Sequence, residues 1–252
     1  MFKFDLKSGY HHIDIHPEYQ KYLGFHWETD GETNYFVFKV LPFGLATACY
    51  LFTKLMRPLV RHWRGRGLKA IVYLDDGIVA VKSKENALIE SAQVKLDLGN
   101  AGFIVNNEIC EWEPNCNMER LGFLIDLSMG EFSVPVGKLD MLKSKLLAVK
   151  EAQLVTARKL ASLIGTIISM SLALGPVTRL MTRSLYSVLK DRTSWCQKLA
   201  LSLEALDEVQ FWLDNISQFN GRNIWPTPSA VRVVYSDASS TGYAWGICSG
   251  AW

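Results

Sequence analysis

Two adjacent carboxylates, Asp75 and Asp76, sit between the apolar runs Ala70-Ile71-Val72-Tyr73-Leu74 and Gly77-Ile78-Val79-Ala80-Val81, and no other stretch restricts the fold as tightly. β-Branched flanks around an Asp-Gly pair predict a β-hairpin with the acids at its tip. On the hairpin alone two readings stay open: the acids are turn residues that tolerate a tight loop, or they are a site. A third acid, Asp5 in Phe2-Lys3-Phe4-Asp5-Leu6, is set in another alternating apolar run, where a carboxylate is costly unless it is used.

The net charge of +2 conceals a sorting of charges along the chain. Residues 33–84 carry nine Lys or Arg against two acids, which are Asp75 and Asp76 themselves; residues 85–137 carry nine acids against two bases; residues 138–198 return to eleven bases against three acids. Two basic segments flanking an acidic one fit a polyanion held by two parts of a protein, and they also fit solvated helix faces. At 252 residues the chain is long enough to bury a sizeable core. Five cysteines without a C-x-x-C pair speak against a disulfide framework or structural zinc. With no apolar leader after Met1 and no long unbroken apolar run, an intracellular protein with no membrane partner is expected.

The alternation of residues 2–6 predicts a strand, and His12, Asp14 and His16 would share the wet face of a following extended segment. Metal binding at that face is conceivable, but Ile13 and Ile15 already explain the pattern. Residues 22–40 predict a second hairpin around Asp30-Gly31-Glu32. A helix is expected to open after Leu41-Pro42-Phe43-Gly44-Leu45, with Phe52, Leu55, Met56, Leu59, Val60 and Trp63 on its buried stripe, Lys54, Arg57, Arg61 and Arg64 on another, and Pro58 kinking or ending it. A further helix over 86–101 closes at Gly102, and short strands follow around Phe103 to Val105 and Leu121 to Ile125. From Lys138 the pattern turns helical: Leu139, Leu142, Leu146 and Val149 form one stripe. Thr156 is a natural N-cap for a helix bearing Leu160, Leu163, Ile164, Ile167 and Ile168. The other face of that helix is small, with Ala161, Gly165 and Ser169, as close helix packing or a smooth ligand-facing surface requires. Residues 220–228 form a candidate linker, and a new strand at Val231–Asp237 ends in an acid.

Taken together, Phe4-Asp5-Leu6-x-Ser8-Gly9-Tyr10, Leu41-Pro42-Phe43-Gly44-Leu45 and Tyr73-Leu74-Asp75-Asp76, in that order, resemble reverse transcriptases, most closely those of gypsy- and DIRS-like retrotransposons. The resemblance extends through Gly102-Phe103-Ile104-Val105-Asn106, through Arg120-Leu121-Gly122-Phe123 as the primer grip, and through Leu163-Ile164-Gly165 of a thumb helix. Tyr235-Ser236-Asp237-Ala238-Ser239 resembles the opening of an RNase H domain. The implied fold class is α+β: a polymerase palm with an antiparallel sheet and helices on one face, a helical thumb and a truncated RNase H-like start. The implied divisions are palm 1–130, thumb 131–195, connecting helix and linker 196–230, and RNase H fragment 231–252.

The family match implies an RNA-directed DNA polymerase that adds dNTPs to a primer 3′-hydroxyl with two Mg²⁺ ions, Mn²⁺ being a substitute, on an RNA or DNA template-primer duplex. It makes Asp5, Asp75 and Asp76 catalytic, with Asp5 and Asp75 the metal ligands and Asp76 an auxiliary. It places Tyr10, Phe43, Gly44 and Leu74 at the dNTP, and Tyr73, Leu121, Gly122, Gly165, Lys143, Arg158 and Lys159 at the template-primer. Asp237 would be the first RNase H carboxylate, and no RNase H activity is expected of this fragment. Three departures favour a rival reading, a truncated or degenerate copy that at most binds duplex: Cys49 where a proline is usual, Ile109 where a lysine is usual, and no fingers region ahead of the first block.

Overall fold

The computed structural model describes residues 1–225 and the backbone of residues 233–238 and 243–248. The chain divides into two compact units, Met1–Arg120 and Leu121–Trp252.

The first unit opens with β1 (Phe2–Asp5), a 3-10 turn at Gly9–His12 and a short α1 (Pro17–Gln20). A hairpin follows, β2 (Gly24–Thr29) and β3 (Glu32–Val37), then α2 (Ala48–Gly65), β4 (Lys69–Tyr73), β5 (Asp76–Ala80), α3 (Lys84–Asn100) and β6 (Asn117–Arg120). Strand order in its central antiparallel sheet is β1-β5-β4. Phe2 and Phe4 alternate inward from β1, and with Val79, Phe52, Trp63, Val94 and Leu98 they are fully buried in one core. Because a strand's side chains alternate, the inward aromatics leave Lys3 and Asp5 on the opposite face of the sheet.

Several expectations hold and several are corrected. The β2–β3 turn is Asp30-Gly31, both at positive φ, as a two-residue hairpin loop of type I′ demands. Helix α2 starts only at Ala48, so Leu41–Thr47 lie outside it, and it runs unbroken through Pro58. Proline deletes one hydrogen bond there, but buried Phe52 and Met56 before it and Trp63 after it hold both halves on the core. The segment from His11 to His16 is not a strand: Ser8 enters the left-handed region at φ 55 and turns the chain into the 3-10 helix, leaving one bridge, Asp14 to Val40. Phe103–Val105 likewise contributes an isolated bridge, Leu6 to Val105, rather than a strand.

The largest correction concerns the acid-bearing hairpin. Its register pairs Tyr73 with Asp76, so the loop is Leu74-Asp75 and the Asp-Gly dipeptide opens β5. Gly77 is therefore not the turn glycine. It faces Phe4 across β1–β5, and a methyl group built on it would overlap the Phe4 ring. The positive φ falls instead on Leu74, at 55°, in a loop position that glycine normally fills.

The second unit contains β7 (Phe123–Asp126), β8 (Glu131–Ser133), α4 (Val136–Lys150), β9 (Val155–Thr156), α5 (Ala157–Ser169), α6 (Ser171–Leu174), α7 (Val177–Leu180), α8 (Arg183–Lys190), β10 (Lys198–Leu199), α9 (Leu203–Phe219) and β11 (Arg222–Asn223). β12 (Val233–Ala238) and β13 (Tyr243–Cys248) pair with each other. The expected stripe Leu139, Leu142, Leu146 and Val149 is buried, and Thr156 caps α5 by accepting from the Lys159 N–H at 3.3 Å. Helices α4, α5, α8 and α9 share one core. Buried Glu208 of α9 accepts the Ser184 and Leu185 N–H groups at 2.8 and 3.0 Å, which satisfies first-turn donors of α8.

The close approach of Phe4 to Gly77 yields a test of this packing. Gly77→Ala should destabilise the protein by about 1–3 kcal/mol through overpacking. In a Phe4→Leu background the same substitution should cost less, read by urea denaturation of the four proteins of the cycle.

Candidate active site

Register alone brings two of the predicted acids together: Asp5 of β1 lies directly across from Asp76 of β5. The third, Asp75, sits in the loop beside them, and its carbonyl accepts the Leu6 N–H at 3.1 Å. Directly opposed like charges destabilise a strand pair. The fold relieves this with Arg120, whose pairing with Asp76 the sequence did not reveal. Its side chain is buried, its Nε lies 3.4 Å from both Asp76 carboxylate oxygens, and a terminal nitrogen donates to the Asp76 carbonyl at 2.9 Å. Asp76 is thus tied to a cation.

Among the described residues no cation pairs with Asp5 in this way. Its carboxylate accepts only a long 3.4 Å bond from the Asn106 amide, while Cys110 closes over its backbone, its Sγ 3.2 Å from the Asp5 nitrogen and 3.4 Å from the Asp5 oxygen. Burial raises the Asp5 carboxyl above its ordinary range, and the neighbouring Asp75 charge raises it further; Asn106 opposes the rise and Asp76 adds to it. Among the described residues no group of three or more His, Cys, Asp and Glu side chains is arranged to hold a metal ion. The acids instead form a free pair, Asp5 and Asp75, beside a neutralised third. The His12, Asp14 and His16 face is likewise no metal cluster: His12 accepts the Ile104 N–H at 3.1 Å, and His16 accepts the Glu18 N–H at 3.4 Å.

Around the acids the predicted nucleotide residues gather in the same unit. Gly9 packs so tightly that a Cβ there would lie 3.1 Å from that of Asp75 and 3.0 Å from the Phe52 ring. This glycine lets the Gly9–His12 turn approach the Leu74-Asp75 loop. Tyr10 next to it is buried, with ring centroids 5.1 Å from Phe43 and 5.2 Å from Phe52. Its hydroxyl donates to Cys49 Sγ at 3.1 Å. That bond first, then burial, pushes the Tyr10 phenol up to about 12. Phe43 is 67% exposed and Gly44 has φ 85, so this corner is an open aromatic ledge beside Tyr10. Tyr73, 60% exposed, stands on the neighbouring strand end.

The remaining predicted contacts belong to the second unit. Leu121 and Gly122 both have positive φ, at 48° and 76°, and Lys138 donates to the Gly122 carbonyl at 3.1 Å. Gly165 is exposed with nothing near an added Cβ, while Ala161 on the small face of α5 packs against the core. Arg158, Ser162, Gly165 and Ser169 form one exposed stripe at helical spacing. Lys159 is exposed next to it, and Lys143, on α4, reaches Ser217 at 3.4 Å. Asp237 pairs with Ala244 in β12–β13; its side chain lies outside the described residues.

The Arg120 pairing with Asp76, the Asn106 and Cys110 contacts to Asp5 and the Tyr10–Cys49 contact went unread in the sequence, although Arg120 and Asn106 stand in the resembling blocks and Cys49 among the departures; Arg120 is also one of two bases beside the nine acids of residues 85–137.

Residues 1–125 match the family described as Reverse transcriptase (RNA-dependent DNA polymerase). They are a reverse transcriptase domain. By family it is an RNA-directed DNA polymerase. The chain is 32% identical over 126 residues to the putative enzymatic polyprotein of Cassava vein mosaic virus, covering 48% of this chain and 17% of that protein. It is 37% identical over 84 residues to the genome polyprotein of Petunia vein clearing virus, covering 33% of this chain and 4% of that one. The chain thus spans only a small part of the curated relatives it matches. In structure it is similar to a foamy viral protease-reverse transcriptase in complex with RNA/DNA hybrid, with a TM-score of 0.74 at 19% identity over 98% of this chain and 33% of that chain. A second structure of that protein, in complex with double-stranded DNA, gives a TM-score of 0.70 at 20% identity over 98% and 42%. At these identities the likeness is one of fold. No described helix of the chain is long and apolar enough to cross a membrane.

The electrostatics of the reverse transcriptase domain set a pH dependence. A carboxyl whose pKa is raised in the fold binds its proton more tightly folded than unfolded, so its contribution favours the folded state in acid and is lost as pH rises through the raised value. Asp5→Asn should therefore raise the melting temperature at neutral pH in metal-free buffer, with the gain vanishing below the carboxylate range. Arg120→Met should do the opposite, costing about 3–5 kcal/mol in chemical denaturation because it leaves Asp76 uncompensated.

Proposed function

We propose that the chain is the polymerase portion of a retroelement reverse transcriptase of the gypsy or DIRS-like kind, with palm, thumb, connecting segment and RNase H start divided as the sequence resemblance implies. The observation that carries this reading is the meeting of Asp5 with Asp75 beside Tyr10, while Arg120 removes Asp76 from the set. Mg²⁺ takes one or two carboxylates from a protein and fills its shell with water and substrate phosphate oxygens. Asp5 and Asp75 suit that demand, and Mn²⁺ would serve as a substitute. When bound, such ions supply the charge that activates the primer 3′-hydroxyl and steadies the triphosphate.

The chain's own side chains do the selecting. Tyr10, fixed by Phe43, Phe52 and Cys49, gives the incoming sugar a rigid floor that leaves no room for a 2′-hydroxyl. Phe43 and Gly44 line the dNTP, and Leu74, held at positive φ, meets the nucleotide and primer end with Tyr73 beside it. On the second unit, the stripe of Arg158, Ser162, Gly165 and Ser169 offers a flat face to a duplex, and Lys143 and Lys159 add sequence-independent phosphate contacts, as Leu121 and Gly122 do for the primer. The foamy viral structures, which hold an RNA/DNA hybrid and double-stranded DNA, support a template-primer duplex as the partner.

One observation favours the rival reading of a copy that binds duplex without extending it: Ile109, 52% exposed, cannot donate the proton a lysine would give to departing pyrophosphate. Primer extension on a poly-RNA template with Mg²⁺ decides, run on this chain and on the chain lengthened by its natural upstream sequence. Extension is expected from the lengthened chain and is expected to fall to background in Asp5→Asn and Asp75→Asn. Activity surviving Asp75→Asn would overturn the mechanism; duplex binding without extension in either chain would establish the rival.

A further inference from the structure

On the first unit, a groove of about 450 Å³ runs between α2 and the free edge of β4, ending at Leu74. Its helix wall presents Thr53, Arg57, Arg61 and Arg64 together with apolar Met56 and Val60, and its strand wall Val72 and Leu74. No acid lines it. The only acids between residues 33 and 84 are Asp75 and Asp76, and Asp76 is tied to Arg120. Among the described residues Arg57 and Arg61 make no ion pair and no side-chain hydrogen bond, although Arg66, two residues beyond Arg64, pairs with Glu90 and Asp97. A helix face laid out for solvent alone commonly mixes the two signs of charge; this one holds a single sign.

The strand wall adds donors. Arg64 gives two hydrogen bonds, at 2.9 and 3.1 Å, to the carbonyl of Ala70. That carbonyl therefore points out of the sheet. In an antiparallel pair the backbone groups of alternate residues point the same way, so the Val72 N–H also opens toward the groove. Guanidinium forks and an outward N–H together suit phosphate oxygens.

We infer that this groove binds the sugar-phosphate backbone of a single nucleic-acid strand, through Arg57 and Arg61 with Arg64 anchoring the wall. A groove bounded by one helix and one strand edge has room for one backbone and not for a duplex, which separates it from the duplex contacts proposed on the second unit. An acidic peptide would satisfy the arginines less well, because a monodentate series of carboxylates on flexible side chains gains less than a regular phosphate chain from a fixed arginine ladder one helical turn apart.

The test is the salt dependence of oligo(dT) binding, followed by fluorescence anisotropy in metal-free buffer without nucleotide, so that the outcome does not depend on polymerase chemistry. Each phosphate contact to a single strand contributes about 0.7 to the slope of log affinity against log salt. Arg57→Gln with Arg61→Gln should therefore lower the slope by about 1.4 and weaken binding, while Arg57→Lys with Arg61→Lys should keep the slope. If the glutamine pair lowers the melting temperature, each single variant, at about 0.7, carries the test instead. An unchanged slope in a folded glutamine variant would overturn the inference. So would displacement of oligo(dT) by polyglutamate at equal charge concentration, which would assign the groove to an acidic protein. Loss of primer extension with the slope effect intact would count against the polymerase reading and leave this groove standing.

Discussion

The contact between the Phe4 ring and the bare backbone of Gly77 holds the site in place. A strand pair can slip by one residue at the cost of exchanging its two faces, and here a slip would drive Phe4 against a residue with a Cβ and turn Asp5 into the core. The ring over Gly77 allows one register, Phe4 with Gly77, from which Asp5 opposite Asp76 follows without further instruction. The arrangement of the three acids is downstream of that choice. The Leu74-Asp75 loop is as short as a hairpin permits, so Asp75 has no freedom to leave its two neighbours. A leucine takes the positive φ that glycine would take more easily, a local strain of the kind that clusters at functional sites.

The same register creates the electrostatic difficulty that the rest of the unit resolves. Two carboxylates face each other across the sheet with a third in the loop, and water is partly excluded by Cys110 and the aromatic core. Neutralising all three would stabilise the fold and leave nothing to attract a cation. Neutralising none would cost more than one domain can spare, since native proteins are marginally stable. Arg120 settles the balance by engaging one acid, which leaves a raised Asp5 and a nearby Asp75 whose mutual repulsion is relieved only by positive charge from outside. The site is thus less stable than a fully neutralised one would be.

How much of this was legible in the sequence depended on whether the cause was local. Helical stripes read correctly because burial of Leu139, Leu142, Leu146 and Val149 enforces the period, and the Thr156 cap read correctly because one side chain meets an N–H three residues on. Three failures share one cause: tertiary packing overrode a sound local rule. Asp-Gly is a good turn, but Gly77 answers to Phe4, a residue more than seventy positions away. Proline ends isolated helices, but α2 is clamped to the core on both sides of Pro58. Alternation at His12, Asp14 and His16 suits a strand, but Ser8 and Gly9 turn the chain before one can form. The pairing of Arg120 with Asp76 spans 44 residues, and neither its place in a resembling block nor its being a base in an acidic run named the partner.

The sorted charges acquire a spatial meaning from the folded units. The first basic segment does not spread evenly over α2. Its arginines fall on the groove beside β4, while the core-facing stripe of the same helix carries Phe52, Met56 and Trp63. The second basic segment contributes Arg158 to a stripe on α5 that is otherwise free of bulk, so that a flat partner can reach the charge. The acidic segment between them supplies the counter-charges of the first unit, with Glu90 and Asp97 meeting Arg66 and Glu111 meeting Lys3. Arg57 and Arg61, which pair with no acid among the described residues, line the groove beside β4. A chain built only to be soluble has no reason to separate paired bases from unpaired ones, because each unpaired like-charge cluster is repulsive until a polyanion fills it.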